Sequence, residues 1–185
     1  MTKVIKVIVV DDLDMHRTML KQTLRTAASG LDDFDFEVIE ECASGKELLK
    51  SRNLETCDLI TLDIRMPELD GLSTLLQLRK KLFIRTPICM ASSEEEGNID
   101  RFLIESSSDK VKGMSFEDKM EHLSKVEKRI LAGVTEEGKV NDLLTACEKL
   151  LVDPQHYAKQ IGANGFLHKP YAPNDMRTTI LEIFS

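Results

Sequence analysis

The chain has 185 residues, of which 42% are hydrophobic and 31% are charged. These proportions are ordinary for a soluble globular protein and exclude a chain that is disordered throughout. The net charge of −7 argues against a nucleic-acid partner, because such a surface needs an excess of basic residues. No apolar stretch approaches the roughly 18 residues that cross a bilayer, so we expect no membrane partner.

The cysteines indicate in which cellular compartment the protein is expected. The chain has four of them, at positions 42, 57, 89 and 147, and no two form a CxxC pair. Scattered cysteines of this kind are typical neither of a disulfide framework nor of a zinc site. We therefore expect a protein of the reducing cytoplasm.

Strand and helix signals alternate along the first half of the chain. Strands are predicted by β-branched or apolar runs at residues 4–10, 36–39, 59–63 and 87–91. Helical spacing of apolar residues follows the first three, in segments that begin near Asp14, at Gly45 and at Leu72. Asp14 is the predicted cap of the first helix. This alternation predicts a parallel sheet with helices on both of its faces.

The alternation stops after the fourth strand. A fifth strand is predicted only at residues 165–170, and a closing helix at 174–184. Two amphipathic patterns lie between, one from Phe116 to Ile130 with Ser115 as its cap, and one from Val140 to Leu151. A connection of this length without structure is improbable. We therefore predict a helical insertion at about residues 97–152, with a short helix beginning at Pro154.

The acidity of the chain is concentrated in this part. Residues 94–153 carry 15 acidic and 9 basic side chains, a net charge of −6 out of −7 for the whole chain. A solvated helical face is the ordinary interpretation of such a composition. A partner-specific acidic surface is the alternative.

Carboxylates follow two of the predicted strands. Asp11 and Asp12 end the first strand, and Asp63 ends the third. The carboxyl ends of parallel strands form one rim, where ligands bind. Three carboxylates at one rim repel each other unless a cation neutralises them, and hard oxygen ligands favour Mg²⁺. Lys169 ends the fifth strand and Ser92 follows the fourth, so the set suits phosphoryl transfer to a carboxylate nucleophile.

Four segments together resemble the receiver domain of two-component response regulators, in the form of a stand-alone chemotaxis protein of the CheY type. They are VVDD at 9–12, LDIRMPELDG at 62–71, PICMASS at 87–93 and GANGFLHKP at 162–170. The resemblance implies a flavodoxin-like, doubly wound, five-stranded parallel sheet of order 2-1-3-4-5. We expect a single receiver domain over residues 1–185, interrupted by the helical insertion at about 97–152 between the fourth strand and the fourth helix.

The resemblance also implies roles for the rim residues. Asp63 matches the phospho-acceptor of the family. Asp12 and Asp63 match direct ligands of Mg²⁺, Asp11 acts mainly through water, and the backbone carbonyl of Arg65 completes the set.

Three further positions match the switch of the family. Ser92 matches the hydroxyl residue that turns toward the phosphoryl group, and Lys169 matches the lysine that contacts it. The bond from Lys169 to Pro170 matches a cis peptide. Phe166 falls at the aromatic switch position, although a phenylalanine on a strand is equally consistent with simple core packing.

The implied function is a phosphorylation-dependent signalling switch, not an enzyme beyond its own phosphorylation and autodephosphorylation. A sensor histidine kinase would supply the phosphoryl group. We expect no attached output domain, so output would come from binding a target, such as a flagellar motor switch protein or a histidine phosphotransfer protein. A phosphatase is a further expected partner.

Two alternatives remain open. The first is a phosphorelay intermediate or phosphate sink that returns phosphoryl groups to histidine domains. The second is an aspartyl-phosphate phosphatase of the haloacid dehalogenase type, which needs a second aspartate two residues after its nucleophile. Asp12 and Asp14 have that spacing, but this interpretation leaves Asp63 unexplained.

One feature departs from the family pattern. Ser92 and Phe166 lie 74 positions apart, whereas about one short helix separates them in the family. The insertion therefore puts the usual docking face in doubt. We favour a helical hairpin beside the fourth helix with its acidic face outward, and a passive elaboration is the alternative.

Arg65 and Glu94 match positions of the family whose side chains flank the path of hydrolytic water. The two side chains either pair there or remain two independent solvated side chains.

Overall fold

The computed structural model describes residues 2–93, 107–134 and 142–184. Five strands form one parallel sheet of order β2-β1-β3-β4-β5. This confirms the flavodoxin-like order that the resemblance implies. The strands are β1 (Lys3–Val10), β2 (Phe34–Cys42), β3 (Leu59–Asp63), β4 (Ile88–Ser92) and β5 (Gly165–His168).

The described residues contain eight α-helices. They are α1 (Asp14–Ala28), α2 (Gly45–Leu48), α3 (Gly71–Lys80), α4 (Asp109–Lys112), α5 (Phe116–Ala132), α6 (Leu143–Leu150), α7 (Pro154–Ile161) and α8 (Pro173–Phe184). The predicted cap Ser115 accepts a hydrogen bond from the Asp118 backbone, and Asp153 caps α7 in front of Pro154. Asp14 is not the cap of α1, because Leu13 occupies that position and Asp14 lies in the first turn.

The strands reflect their positions in the sheet. Every residue of β3 and β4 is buried, as expected for central strands covered on both faces. β2 is an edge strand and is longer than the predicted segment 36–39. The apolar run shows only part of β2, because exposed acidic residues alternate with half-buried ones along an edge.

Alternate residues of β1 contribute to two hydrophobic cores, one on each face of the sheet. Ile5, Val7 and Val9 face α1 and α8 in the smaller core. Ile8 and Val10 belong to the larger core on the opposite face of the sheet. That face carries α3, α5, α6 and α7, so the two layers of helices are unequal.

The insertion is part of the larger core. Leu123 on α5 and Leu143 and Cys147 on α6 are 0% exposed and share one cluster with the residues of the sheet. α5 and α6 contact each other and α3, and α6 also contacts α7. The helical character of the insertion is as predicted, but α3 is its main support rather than the helix that leads into β5.

The described residues of the insertion carry little of its negative charge. Over residues 107–134 and 142–153, eight acidic side chains stand against seven basic ones. Most of the predicted acidic excess therefore falls on residues outside the described part of the chain, and Val140 lies outside it as well.

All four cysteines are buried as free thiols. Among the described helices, none has the length and apolar character of a membrane span.

Candidate functional site

The carboxylates meet where β1 and β3 end side by side. Val10 pairs with Leu62 in the sheet, so Asp11 emerges beside Asp63. Asp11, Asp12 and Asp63 each offer an oxygen, and these oxygens lie within 4.8 Å of one another. Asp11 is 2% exposed and Asp63 is 5% exposed. The predicted rim cluster is therefore present, and two of its members are buried.

Lys169, which follows the edge strand β5, supplies the counter-charge. Its Nζ lies 2.8 Å from Asp63 Oδ1 and 2.6 Å from Asp11 Oδ2. The lysine backbone donates a hydrogen bond to the Ser92 carbonyl, which places Lys169 at the same rim as the end of β4. The Lys169–Pro170 peptide bond is cis, as predicted.

The charges of this rim do not balance. Burial is the main cause that raises the pKa of Asp63, and the neighbouring Asp11 and Asp12 carboxylates raise it further. The hydrogen bond and charge of Lys169 act in the opposite direction. Three carboxylates against one ammonium leave net negative charge in a largely buried site. This donor set fits a hard divalent cation such as Mg²⁺.

The loop after Asp63 explains the long motif around it. A Cβ on Gly71 would lie 2.1 Å from the Asp63 carbonyl oxygen, so only glycine allows this approach. The Gly71 backbone also donates to the Ile64 carbonyl. Asp70 then caps α3 by accepting hydrogen bonds from the backbone and hydroxyl of Ser73. The motif therefore serves to begin α3 directly beneath the phospho-acceptor candidate.

Ser92 and Phe166 lie on adjacent strands although the insertion separates them in sequence. Phe166 pairs in register with Met90, two residues before Ser92 on the adjacent strand. Ser92 is buried, whereas Phe166 is half-buried against the larger core. The Nζ of Lys159 on α7 lies 5.3 Å from the centre of the Phe166 ring. This position is compatible with both readings of Phe166, as a switch and as part of the core.

Two further residues at the site were not among the sequence candidates. His16 Nδ1 lies 3.3 Å from Asp11 Oδ1 and 3.2 Å from Lys169 Nζ. Tyr171 is partly buried against the smaller core, and burial with the charges of Asp11 and Asp63 raises the pKa of its hydroxyl. In the sequence, only their positions point to these two residues, since His16 lies in the first turn after Asp12 and Tyr171 follows the Lys-Pro pair.

Arg65 connects the site with the insertion. Its Nη2 lies 2.8 Å from Glu148 Oε1 on α6. The predicted alternative partner, Glu94, lies outside the described residues. Glu148 was not considered from the sequence, because 83 positions separate it from Arg65.

Comparison with known proteins identifies the family. The model of the response regulator receiver domain matches residues 7–111. The chemotaxis protein CheY of Listeria monocytogenes is 40% identical over 77 residues, which are 42% of this chain and 59% of that protein. CheY of Bacillus subtilis is 30% identical over 96 residues, covering 51% of this chain and 74% of that protein. The protein-glutamate methylesterase of Carboxydothermus hydrogenoformans is 38% identical over 48% of this chain and 24% of its own length.

Solved structures show the same fold. CheY4 of Vibrio cholerae has a TM-score of 0.52 at 22% identity, covering 98% of this chain and 99% of that one. The receiver domain of AraT from Geobacillus stearothermophilus has a TM-score of 0.55 at 16% identity, covering 98% and 93%. Sequence, sheet order and carboxylate rim agree, and the chain belongs to the response regulator receiver domain family.

Proposed function

We propose that this chain is a phosphorylation-dependent switch in which Asp63 accepts a phosphoryl group from a sensor histidine kinase. The observation that carries the proposal is the contact of the Lys169 amino group with the Asp63 and Asp11 carboxylates at one buried rim. Membership of the receiver family supports a two-component, phosphoryl-accepting role. That the donor is a histidine kinase and that the chain binds a target protein are both part of this proposal.

The transfer exchanges one bond to phosphorus for another. An Asp63 carboxylate oxygen attacks the phosphorus of a phosphohistidine, the P–N bond breaks, and its electron pair leaves with the imidazole nitrogen. The ammonium of Lys169 lies within reach of the incoming phosphoryl oxygens and neutralises their charge. Asp11, Asp12, Asp63 and the Arg65 carbonyl would hold Mg²⁺. Bound there, the metal ion supplies further neutralisation of phosphoryl charge.

The signal would pass through Ser92 and Phe166. Ser92 ends β4 next to Asp63, since Asp63 pairs in register with Ala91. We propose that the Ser92 hydroxyl turns toward the phosphoryl group and that the Phe166 ring follows, which changes the face formed by α7, β5 and α8. His156, Lys159 and Gln160 on α7 are exposed, and the helices α5 and α6 pack on α3 instead. This arrangement supports target binding at the α7–β5–α8 face.

The proposed target is a motor switch protein in the cytoplasm, because two of the relatives are chemotaxis proteins. A phosphorelay role, with a histidine phosphotransfer protein as partner, is the second candidate. The phosphatase alternative is disfavoured by geometry. The Asp14 side chain is 87% exposed and pairs with Arg17, so it does not join Asp12 at the rim. We propose no activity beyond phosphorylation and autodephosphorylation of the chain itself.

The test is labelling by acetyl phosphate or by a phosphorylated histidine kinase, followed by intact-mass measurement. Asp63→Asn should reduce labelling to background, because an amide is not a nucleophile. Asp33→Asn, which removes an exposed carboxylate outside the rim, is the matched control and should label normally. Chelation of divalent metal should also abolish labelling of the native chain. Acid-stable labelling that persists in Asp63→Asn would contradict the proposal.

Transfer to other proteins separates the two candidate functions. If the labelled chain binds a motor switch protein and retains its phosphoryl group, the switch role is supported. Rapid loss of the label to a histidine phosphotransfer protein would favour the relay.

A further inference from the structure

The helices α5 and α6 border a groove on the surface of the larger helical layer. Its volume is about 280 Å³. On α5 the lining residues are His122, Lys125, Val126 and Arg129, which follow the three- and four-residue spacing of one helix face. They span two turns, about 10 Å along the helix axis. On α6 the groove is lined by residues of the same kind of spacing, from Ala146 to Leu150.

The floor of this groove is apolar. Val126 is 7% exposed, and Ala146 is 3% exposed. Leu150 is partly buried and packs against the larger core. These side chains pack in the larger core, and the parts of them that line the groove offer an apolar contact for a partner side chain.

The edges of the groove are cationic. Lys125 and Arg129 lie along the α5 edge, and Lys149 lies on the α6 edge. Lys125 pairs with Glu121, and both side chains are more than half exposed. An exposed pair of this kind is weak because solvent screens it, so Lys125 can exchange that partner for another carboxylate.

Two other carboxylates of these helices make contacts away from the groove. Glu148, next to Lys149, pairs with Arg65 near the phosphoryl site. Glu127 accepts a hydrogen bond from the Tyr157 hydroxyl of α7. Among the described residues that line the groove, the charged side chains are therefore basic, in a chain whose net charge is −7.

We propose that this groove binds an acidic amphipathic helix of a partner protein. The two-turn apolar floor matches the anchors that such a helix presents at three- and four-residue spacing, and the cationic edges match the acidic residues beside them. A concave floor between two helices favours a helix over a flat anionic membrane. The groove belongs to the insertion and is separate from the α7–β5–α8 face, so the inference does not depend on the proposed phosphorylation.

The test uses a fluorescent synthetic peptide of about 14 residues, or four helical turns, with leucines on one face and glutamates elsewhere. Its binding to the full chain is followed by fluorescence anisotropy. Lys125→Ser combined with Lys149→Ser should weaken binding at least about tenfold. Lys110→Ser combined with Lys128→Ser changes the net charge equally at exposed positions outside the groove and should change affinity less than about twofold.

Two control probes test the two chemical requirements. A peptide with lysine in place of glutamate, and one with scrambled leucine positions, should each bind at least about tenfold more weakly than the acidic amphipathic peptide. Equal binding of the lysine peptide would overturn the proposal. So would an equal effect of the two double variants, a change in oligomeric state caused only by the groove variant, or preferential binding to phosphatidylglycerol vesicles.

Discussion

The carboxylate rim and the pair of insertion helices are held in place by different forces. At the rim, Lys169 contacts two buried carboxylates, so charges removed from water must offset each other. The helices α5 and α6 instead bury apolar side chains, such as Leu123, against the core shared with α3. The rim is therefore sensitive to the loss of a charge, whereas the insertion is sensitive to the loss of volume.

The two regions are connected through α3 and α6. Arg65 near the phospho-acceptor pairs with Glu148 of α6. The backbone of Leu143, the first residue of α6, donates a hydrogen bond to the Ser73 hydroxyl on α3. That same hydroxyl donates to Asp70, the cap of α3. The following predictions test how far the rim and the insertion differ and how strongly they are coupled.

The largest effect is expected for Lys169→Met. Without divalent metal this change leaves Asp11 and Asp63 buried with no ammonium, so unfolding free energy should fall by about 3–5 kcal/mol. Urea unfolding in the presence of a chelator measures the loss, and added Mg²⁺ should restore part of it. Lys21→Met is the control, because Lys21 pairs with Glu41 where both are about one-third exposed. Equal costs for the two variants would show that the rim is not electrostatically distinct.

Leu123→Ala tests the insertion. Leu123 is 0% exposed, so the cavity should lower the unfolding free energy by about 2–5 kcal/mol. We expect one cooperative transition in urea, because α5 shares its core with the sheet. Leu24→Ala, at a 1% exposed position in α1, gives the corresponding value for the smaller core.

A separate early transition for Leu123→Ala would mark the insertion as a peripheral unit. Replacement of residues 97–152 by a Gly/Ser linker extends the same test. Because it removes part of the larger core, we expect it to prevent stable folding.

A smaller effect is expected for Asp70→Asn. Burial raises the pKa of Asp70 above its ordinary value of 3.8, so the native chain holds this proton more tightly than the unfolded chain. The contribution of Asp70 to stability therefore falls as the pH rises through its raised pKa. The variant lacks this dependence, so its stability relative to the native chain should rise as the pH increases above about 4, where carboxyl groups of the unfolded chain ionise.

Urea unfolding at several pH values measures this difference. Asp109→Asn, at an exposed position on α4, controls for the loss of one negative charge. A relative stability that falls with pH would show that the native environment favours the Asp70 carboxylate.

The smallest effect is expected for the link between the two regions. A double-mutant cycle with Arg65→Ala and Glu148→Ala should give a coupling of about 0.2–1 kcal/mol, because both side chains are partly exposed. The Lys46–Glu68 pair is more exposed and should couple more weakly. A coupling for Arg65 and Glu148 no larger than that of the reference pair would separate the rim from α6.

The rim was predictable because parallel strands place their carboxyl ends together. Asp11, Asp12 and Asp63 each follow an apolar run, and Lys169 follows the last one, so identifying the strands was enough to bring these residues together. The match to the family model ends at residue 111 and does not reach Lys169. The strand pattern and the Lys-Pro motif identified it nevertheless.

The amphipathic patterns of the insertion predicted helices and their buried faces, but not the surface they cover. An apolar stripe requires an apolar neighbour without specifying which one, and packing on α3 decided the position of α5 and α6. The same packing selected Glu148 as a partner of Arg65. His16 is close to Asp11 in the sequence, but its approach to Lys169 depends on the placement of β5 beside the rim. Such contacts depend on distances between elements that are remote in sequence, and only the tertiary structure decides those distances.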